Sequence, residues 1–438
     1  MSQNLTRGWL FVTLLMAAVM GMAQPKLNAP LTRFGLGDIV QADFVSSSAM
    51  GGLGAAWHHI YQANLVNPAS LGHLEATAFE LGLFGKVTGL KQGEQTNSVW
   101  SGNADYLSLS IPLINPINEL LERRDLDFSW GLNISVTPYS EVGYSVRSAD
   151  FVDSIGVVSR NFQGLGGTNK FNVVNGWKYR SLAVGLKLSY LFGESEYLTE
   201  TVFDDLFNNY EHVERSNFSV RGWLWSVGAQ YDLDLGLSPR QNGRRLTLGV
   251  HYNGSNSFTT RGDYINYVQN PFFQTADTAR YQVDARSEGT LPSELGVGVR
   301  FEETTKWSFG VNYTTTNWSE YVNEARPEDL SDSWRMSGGI SYTPDFSSIS
   351  SFFDRVEYRA GFFYQTDPRS LADEQVDHFG ITAGMGMPFV FQRYFSFVNL
   401  GLEYGRRGSE DSLKENYLRV RVGITLNDNQ WFLKRQFN

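Results

Sequence analysis

Period-two alternation of apolar and polar residues, in segments of about ten residues, constrains this chain more than anything else. That spacing is what a tilted strand needs to cross a bilayer. Trp307, Phe309, Val311 and Tyr313 point one way, and Ser308, Gly310, Asn312 and Thr314 the other. Near the end of the chain Leu418, Val420, Val422, Ile424 and Leu426 alternate with Arg419, Arg421, Gly423 and Thr425. Leu246 to Asn253 and Glu294 to Phe301 repeat the pattern. The polar face is often glycine or charge. A soluble sandwich turns its apolar face inward and rarely carries so much glycine on the other. In a membrane barrel the polar face lines the lumen, where glycine relieves crowding. Aromatic residues near segment ends (Trp130, Tyr190, Trp223, Trp307, Trp318, Trp334, Tyr404) fit interfacial girdles.

About fourteen such segments are expected, an even number as bacterial outer-membrane barrels require. They begin near Ala76, Ala104, Leu126, Lys170, Ser181, Asn217, Arg245, Pro292, Thr305, Asp332, Arg355, Val376, Tyr394 and Lys414. An even count puts both barrel ends in the periplasm. The connections 89–102, 147–169, 193–216, 257–291, 320–331, 366–375 and 407–413 then fall outside the cell, and the shorter ones inside. Only 112–125, 232–244 and 343–354 are long on the short-turn side.

Composition agrees. Aromatic residues make up 14% and glycines number 43. A mean hydropathy of -0.28 suits a barrel whose lumen and loops offset its lipid face. Arg7, the apolar run from Trp9 to Val19 and Gly21-Met22-Ala23 predict a secretory signal over 1–23, and the run is too short to span a membrane. No later stretch is long and apolar enough for a spanning helix. With no cysteine, disulfides, thiol catalysis, thiolate metal sites and a lipoprotein anchor are ruled out. A net charge of -10 argues against nucleic acid as a partner. The expected layout is a leader (1–23), an N-terminal luminal segment (24–75), an all-β, 14-stranded antiparallel transmembrane barrel (76–427) and a periplasmic tail (428–438).

Between leader and first strand lies 46–74, small and glycine-rich. Its core is Met50-Gly51-Gly52-Leu53-Gly54-Ala55-Ala56, followed by Asn67-Pro68-Ala69. Small residues allow close backbone packing and glycine permits tight bends. Proline fixes φ and turns Asn67 away from helix. A small-residue run followed by Asn-Pro-Ala before the first strand resembles the N-terminal hatch of the FadL family, outer-membrane transporters of long-chain fatty acids and other hydrophobic compounds. In the third segment Pro138 interrupts the run from Trp130 to Thr137, and a proline inside a strand marks a bend or bulge. It resembles the family's strand kink, which opens a lateral hole in the wall. The segments Leu291 to Gly298, Lys306-Trp307-Ser308 and Asn317-Trp318-Ser319 look like its central strand pair. The chain end, Trp431 to Asn438, does not finish on an aromatic residue, and the likeness is to a Bacteroidetes-like branch.

No hydrolase elbow, zincin helix or P-loop is present, so neither an enzyme nor a cofactor is expected. Gly164-Leu165-Gly166-Gly167 lacks the strand–helix context of a dinucleotide site. His58-His59 fits hatch packing better than metal ligation, because adjacent side chains diverge. Val202, Phe203, Leu206, Phe207 and Tyr210 fall at helical spacing in 197–214, either a capping loop helix or an apolar groove that first captures ligand. Alternation aims Glu80, Lys187, Arg300, Arg359, Glu403, Arg419 and Arg421 inward. Salt-bridging to wall and hatch is one role for them, and holding a substrate carboxylate on Arg419 or Arg421 another. The resemblance implies passive uptake of a long-chain fatty acid or other hydrophobic small molecule across the outer membrane of a Gram-negative bacterium. The hatch would gate it, and exit into outer-membrane lipid would lie beside the kink at Pro138. Two other classes stay open. One is a non-transporting barrel serving as partner or shuttle in a protein-secretion assembly, as in type IX secretion, favoured by a sealed lumen. The other is an outer-membrane lipid hydrolase, for which no Ser/His/acid set is evident.

Overall fold

Alternating strands with one apolar and one polar face have two ways to bury backbone polar groups in lipid, and closure into a tube is the one open to sheets. In the computed structural model the described residues are 29–114, 127–153, 155–205, 211–237, 243–270, 275–371, 374–391, 394–408 and 413–428. The leader expected over 1–23 and the tail from 429 onward lie outside them. Eighteen strands join in one sheet, two of them the two-residue pieces Asp38–Ile39 and Val322–Asn323. The others are β1 (Thr77–Gln92), β2 (Gln95–Pro112), β3 (Phe128–Val152), β4 (Gly156–Tyr179), β5 (Leu182–Phe203), β6 (Glu211–Leu237), β7 (Gly243–Asn253), β8 (Asn256–Asn270), β9 (Thr275–Leu291), β10 (Glu294–Glu303), β11 (Trp307–Thr316), β12 (Ser333–Tyr342), β13 (Glu357–Leu371), β14 (Glu374–Phe391), β15 (Tyr394–Gly408) and β16 (Lys414–Asp428).

The wall is a closed, antiparallel, 14-stranded barrel. It consists of β1–β7 and β10–β16. β16 pairs with β1 to close it, and β7 pairs directly with β10, Asn253 opposite Glu294. β8 and β9 carry these two strands on past a break at Gly254-Ser255 and Pro292-Ser293. They form a hairpin laid against the upper part of β6.

Side chains follow the alternation. Trp307, Phe309, Val311 and Tyr313 are exposed on the outer face, whereas Ser308 and Asn312 are buried within. Leu248, Val250 and Tyr252 face out while Thr247 and His251 are buried. The apolar surface belongs to the lipid side and the polar surface to the interior.

Three sequence expectations are corrected. Trp318, expected in an interfacial girdle, is buried inside against Leu36, Phe258, Leu291 and Tyr321. The stretches 89–102, 147–169, 193–216, 257–291 and 366–375 are mostly strand among their described residues, not loop. β3 to β6 run 25, 24, 22 and 27 residues, about twice what a bilayer needs, and rise as a crown on the extracellular side. Among the described residues of 197–214 the helical spacing does not make a helix. Residues up to Phe203 extend β5, with Phe203 opposite Val158 and Val202 opposite both Ser159 and Glu211. A ladder partner on each side satisfies the backbone there, which outweighs an amphipathic pattern in an isolated loop. Phe207 lies outside the described residues.

At Pro138 the register against β4 slips by one residue, to Ser140. Beside it β2 and β3 pair only from Leu107–Val136 down to Pro112–Gly131. Above that seam the β3 edge pairs with the N-terminal segment, Asp38 opposite Glu141 and Ile39 opposite Ser140.

Candidate functional site: the hatch-filled lumen

Residues 29–75 enter the barrel with little regular structure: two 3-10 turns, Pro30–Arg33 and Pro68–His73, one helical turn, Val45–Ser48, and the two-residue strand Asp38–Ile39. Beyond the short ladder of Asp38–Ile39 on β3, this buried segment must find other partners for its backbone. Wall side chains supply them. Asn312 accepts from the Ala55 N–H at 3.1 Å, Lys187 donates to the Leu65 carbonyl at 2.9 Å, Arg300 to that of His58 at 2.7 Å, and Arg369 to that of Leu31 at 2.7 Å. Thr382 accepts from Gly51 N–H and donates to the Ala49 carbonyl.

Asn67, fully buried, is the hub of the Asn-Pro-Ala motif. Its Oδ1 caps the turn by accepting from Ala69 N–H at 3.0 Å. Its Nδ2 donates to Ala55 at 2.6 Å and lies 3.2 Å from the carbonyls of Ala229 on β6 and Val250 on β7. Pro68 and Ala69 press on the wall at Gly185, where a Cβ would collide with the Pro68 backbone. Gly51 and Gly52 take positive φ of 74° and 80°, the left-handed region glycine enters without strain.

Charges anchor the segment. Asp38 pairs with Arg369 at 2.8 Å and Arg407 at 2.9 Å. Burial pushes the Asp38 carboxyl up, but Arg407, Arg369 and Lys86 outweigh it and hold it well below the usual range. Arg421 donates through Nε and Nη2 to Asp105 (2.8 and 3.1 Å) and through Nη1 to Asp43 (3.1 Å). Asp105 reaches inward because β2 carries a bulge there: Tyr106 faces Gly82, Ala104 faces Leu83, and Asp105 is extra. Burial raises the Asp43 carboxyl in spite of Arg421 and Arg335.

The sequence-predicted residues therefore divide. Arg421 has its donors taken by protein carboxylates and the Asp43 carbonyl. Arg419 is half-buried with Glu403 at 3.8 Å. Glu80 stands apart from this group, accepting from Ala63 N–H and Thr425. Phe203 sits on the crown, away from the hatch. Asp38, Asp43, Asp105 and Tyr106, which stacks on Phe44 at 3.8 Å, escape a sequence reading, because the bulge and the hatch path that unite them leave no local pattern.

His58 and His73 stack at 3.8 Å, and His59 lies edge-on to Phe397. Burial is the chief cause that lowers all three imidazoles, His59 to about 4, so they are neutral at neutral pH.

The hatch separates two cavities that share no lining residue. The extracellular one, about 170 Å³, is lined by Asp38, Lys86, Arg369, Arg407, Arg419 and Arg421 among others. The periplasmic one, about 660 Å³, has an apolar floor at Ile60, Tyr61 and Phe397 under a rim that includes Lys178, Arg245, Arg300 and Glu302.

A closed 14-stranded wall, apolar outside and plugged by an N-terminal hatch, defines the class of FadL-like outer-membrane barrels. Within it the chain belongs to the BamG family, whose profile matches residues 5–438. Solved structures share the fold. The CymD monoaromatic hydrocarbon channel is 13% identical at a TM-score of 0.52, covering 90% of this chain and 99% of that one. A Pseudomonas aeruginosa FadL homologue is 13% identical at 0.54, covering 89% and 99%. The Pseudomonas putida toluene transporter TodX is 15% identical at 0.53, covering 89% and 99%. No curated protein sequence matches.

Proposed function

We propose that this chain is a hatch-sealed barrel, of a Bacteroidetes-like branch of the FadL-type fold, that serves as a partner in a protein-secretion or protein-insertion assembly of the outer membrane. The observation that carries this reading is the use made of the lumen. Inward-facing polar groups hold the hatch backbone and its aspartates, and the space left on the extracellular side is small, with Asp38, Lys86 and five arginines set among apolar side chains such as Phe34, Leu36, Trp318 and Phe363. An apolar solute gains by leaving water for apolar surroundings, and a space that mixes buried charge with apolar side chains offers it only part of that gain. The tall crown of β3 to β6 and the β8–β9 hairpin offers a broad surface for protein contact.

A second reading, passage of a long-chain fatty acid or another hydrophobic small molecule, is favoured by one feature. The β2–β3 seam beside Pro138 interrupts the wall ladder, as a lateral exit into lipid would require. The CymD hydrocarbon channel and the TodX toluene transporter add support by likeness of fold. On this reading Phe203 and Phe207 would meet the ligand at the crown, and Arg419 is the freer arginine for its carboxylate.

Depletion separates the two. Cells depleted of the chain should lose folded outer-membrane or surface proteins, scored by heat-modifiable migration, and keep their rate of labelled oleate uptake. Loss of uptake with other outer-membrane proteins intact would transfer the assignment to the channel.

A further inference from the structure

Two hatch histidines and a wall aspartate meet where the hatch faces the periplasm. Nε2 of His73 lies 2.9 Å from Oδ2 of Asp232 on β6. Lys178 on β4 donates to the same oxygen at 2.9 Å, and Thr247 on β7 to Oδ1 at 2.8 Å. A carboxylate only accepts, so His73 carries its proton on Nε2 and its Nδ1 keeps a free lone pair. Nδ1 of His73 is buried with no partner, and so are both ring nitrogens of His58. His58 is 4% and His73 6% exposed. Buried polar atoms are paired in all but a few cases, and an orphan calls for a missing partner such as an ion. Here three orphan nitrogens belong to two stacked rings.

We propose that His58 and His73 bind a late first-row divalent cation, zinc in the first instance, at the periplasmic end of the hatch. The arrangement is that of a carboxylate–histidine–metal relay, in which the outer carboxylate fixes the ligand's tautomer and raises its basicity. Asp232 is that carboxylate. The Lys178 ammonium on Oδ2 suits it to the outer role and not to direct ligation. Two neutral imidazoles are borderline donors that suit zinc over magnesium or calcium. Water completes the shell from the cavity of about 660 Å³ that both histidines line. One ligand atom from each of His58, His73 and Asp232 lies within 4.8 Å of the others. Bonds of about 2.0–2.1 Å to zinc require the two nitrogens to draw closer. The His58 ring, held by no hydrogen bond but stacked on His73, would have to tilt to bring its nitrogen there. The cation would join two distant parts of the hatch, 57–59 and 68–74, and through Asp232 tie both to the wall.

The test uses the full barrel in mild detergent, stripped with EDTA and titrated with zinc chloride at pH 7.5, bound metal being counted by mass spectrometry. Wild type should take up about one zinc per chain. His58→Gln and His73→Gln should abolish tight binding, and Asp232→Asn should weaken it by about 10–100-fold. His378→Gln, whose ring hydrogen-bonds Gln365 and Tyr417 in the upper lumen, should leave uptake unchanged. Heat-modifiable migration checks that each variant is folded. Electron paramagnetic resonance of copper(II) added to wild type needs no variant, and should show coupling to two imidazole nitrogens. Zinc uptake by wild type equal to that of the His58→Gln, His73→Gln double variant, or a copper spectrum without imidazole coupling, would overturn the site.

Discussion

Arg421 holds one carboxylate from the wall and one from the hatch, and all three groups are buried. Arg421→Ala strands Asp43 and Asp105 without their cation and should cost about 3–5 kcal/mol. It should show as a lowered midpoint for heat-modifiable migration. Arg419→Ala, which breaks a longer and more exposed pair, should cost under about 1 kcal/mol. Equal effects would deny Arg421 its anchoring role. The Asp38 carboxyl carries a pH prediction. Its folded pKa lies below its unfolded one, so its contribution is present above the ordinary aspartate pKa of about 3.9 and is lost only as pH falls through the lower folded value. Asp43 has the opposite sign: its contribution is complete below about 3.9 and declines as pH rises through the raised folded pKa. Neither loosens the hatch on mild acidification. Amide exchange in 36–44, corrected for intrinsic rates, should be as slow at about pH 4.5 as at pH 7, and Asp38→Asn should speed it at both. Loss of protection by pH 4.5 in the wild type would contradict the Asp38 assignment.

Elements were legible to the extent that neighbours did not decide them. Period-two alternation places every wall strand, because burial on one face and lipid on the other write themselves into each segment. Where β3 to β6 stop is another matter. The residues at 197–203 satisfy both a helical and a strand pattern, and the choice falls to partners such as Ser159 and Glu211, which no local window contains. The Asn67 motif is visible as a motif, but its bonds to β6 and β7 are not. The sequence separation of 159 between His73 and Asp232 hides that pair altogether. The fit between hatch and wall glycines gives an element-scale prediction. A side chain on Gly249 of β7 would run into the Ala55 carbonyl, whereas one on Gly85 of β1 would meet nothing within 4 Å. Gly249→Val should unseat the hatch, costing about 1–3 kcal/mol and admitting protease to 46–74, and Gly85→Val should be neutral. Equal protease resistance in both would mean that the hatch does not press on β7 as described.

At the scale of the molecule, hatch and wall share one core, in which buried polar contacts alternate with apolar clusters such as Phe44, Val45, Leu65, Leu71 and Val174. In planar bilayers the intact barrel should stay closed to ions, and removal of 29–75 should produce a water-filled pore of steady conductance. A steady open current from the intact chain would show a path around the hatch. That core also sets a timetable. Asp38 meets Arg407, 369 residues further along the chain, and Ser396 and Asn427 complete contacts near the last strands. Contacts of such separation form late and slowly. The segment that leads the chain has no settled place until the fifteenth and sixteenth strands arrive, and the ring cannot shut around an empty middle without leaving its charges unmatched. Maturation of this barrel thus ends where its sequence begins, and whatever assists its insertion must keep residues 29–75 threaded and unspent until the seam between β16 and β1 is drawn together.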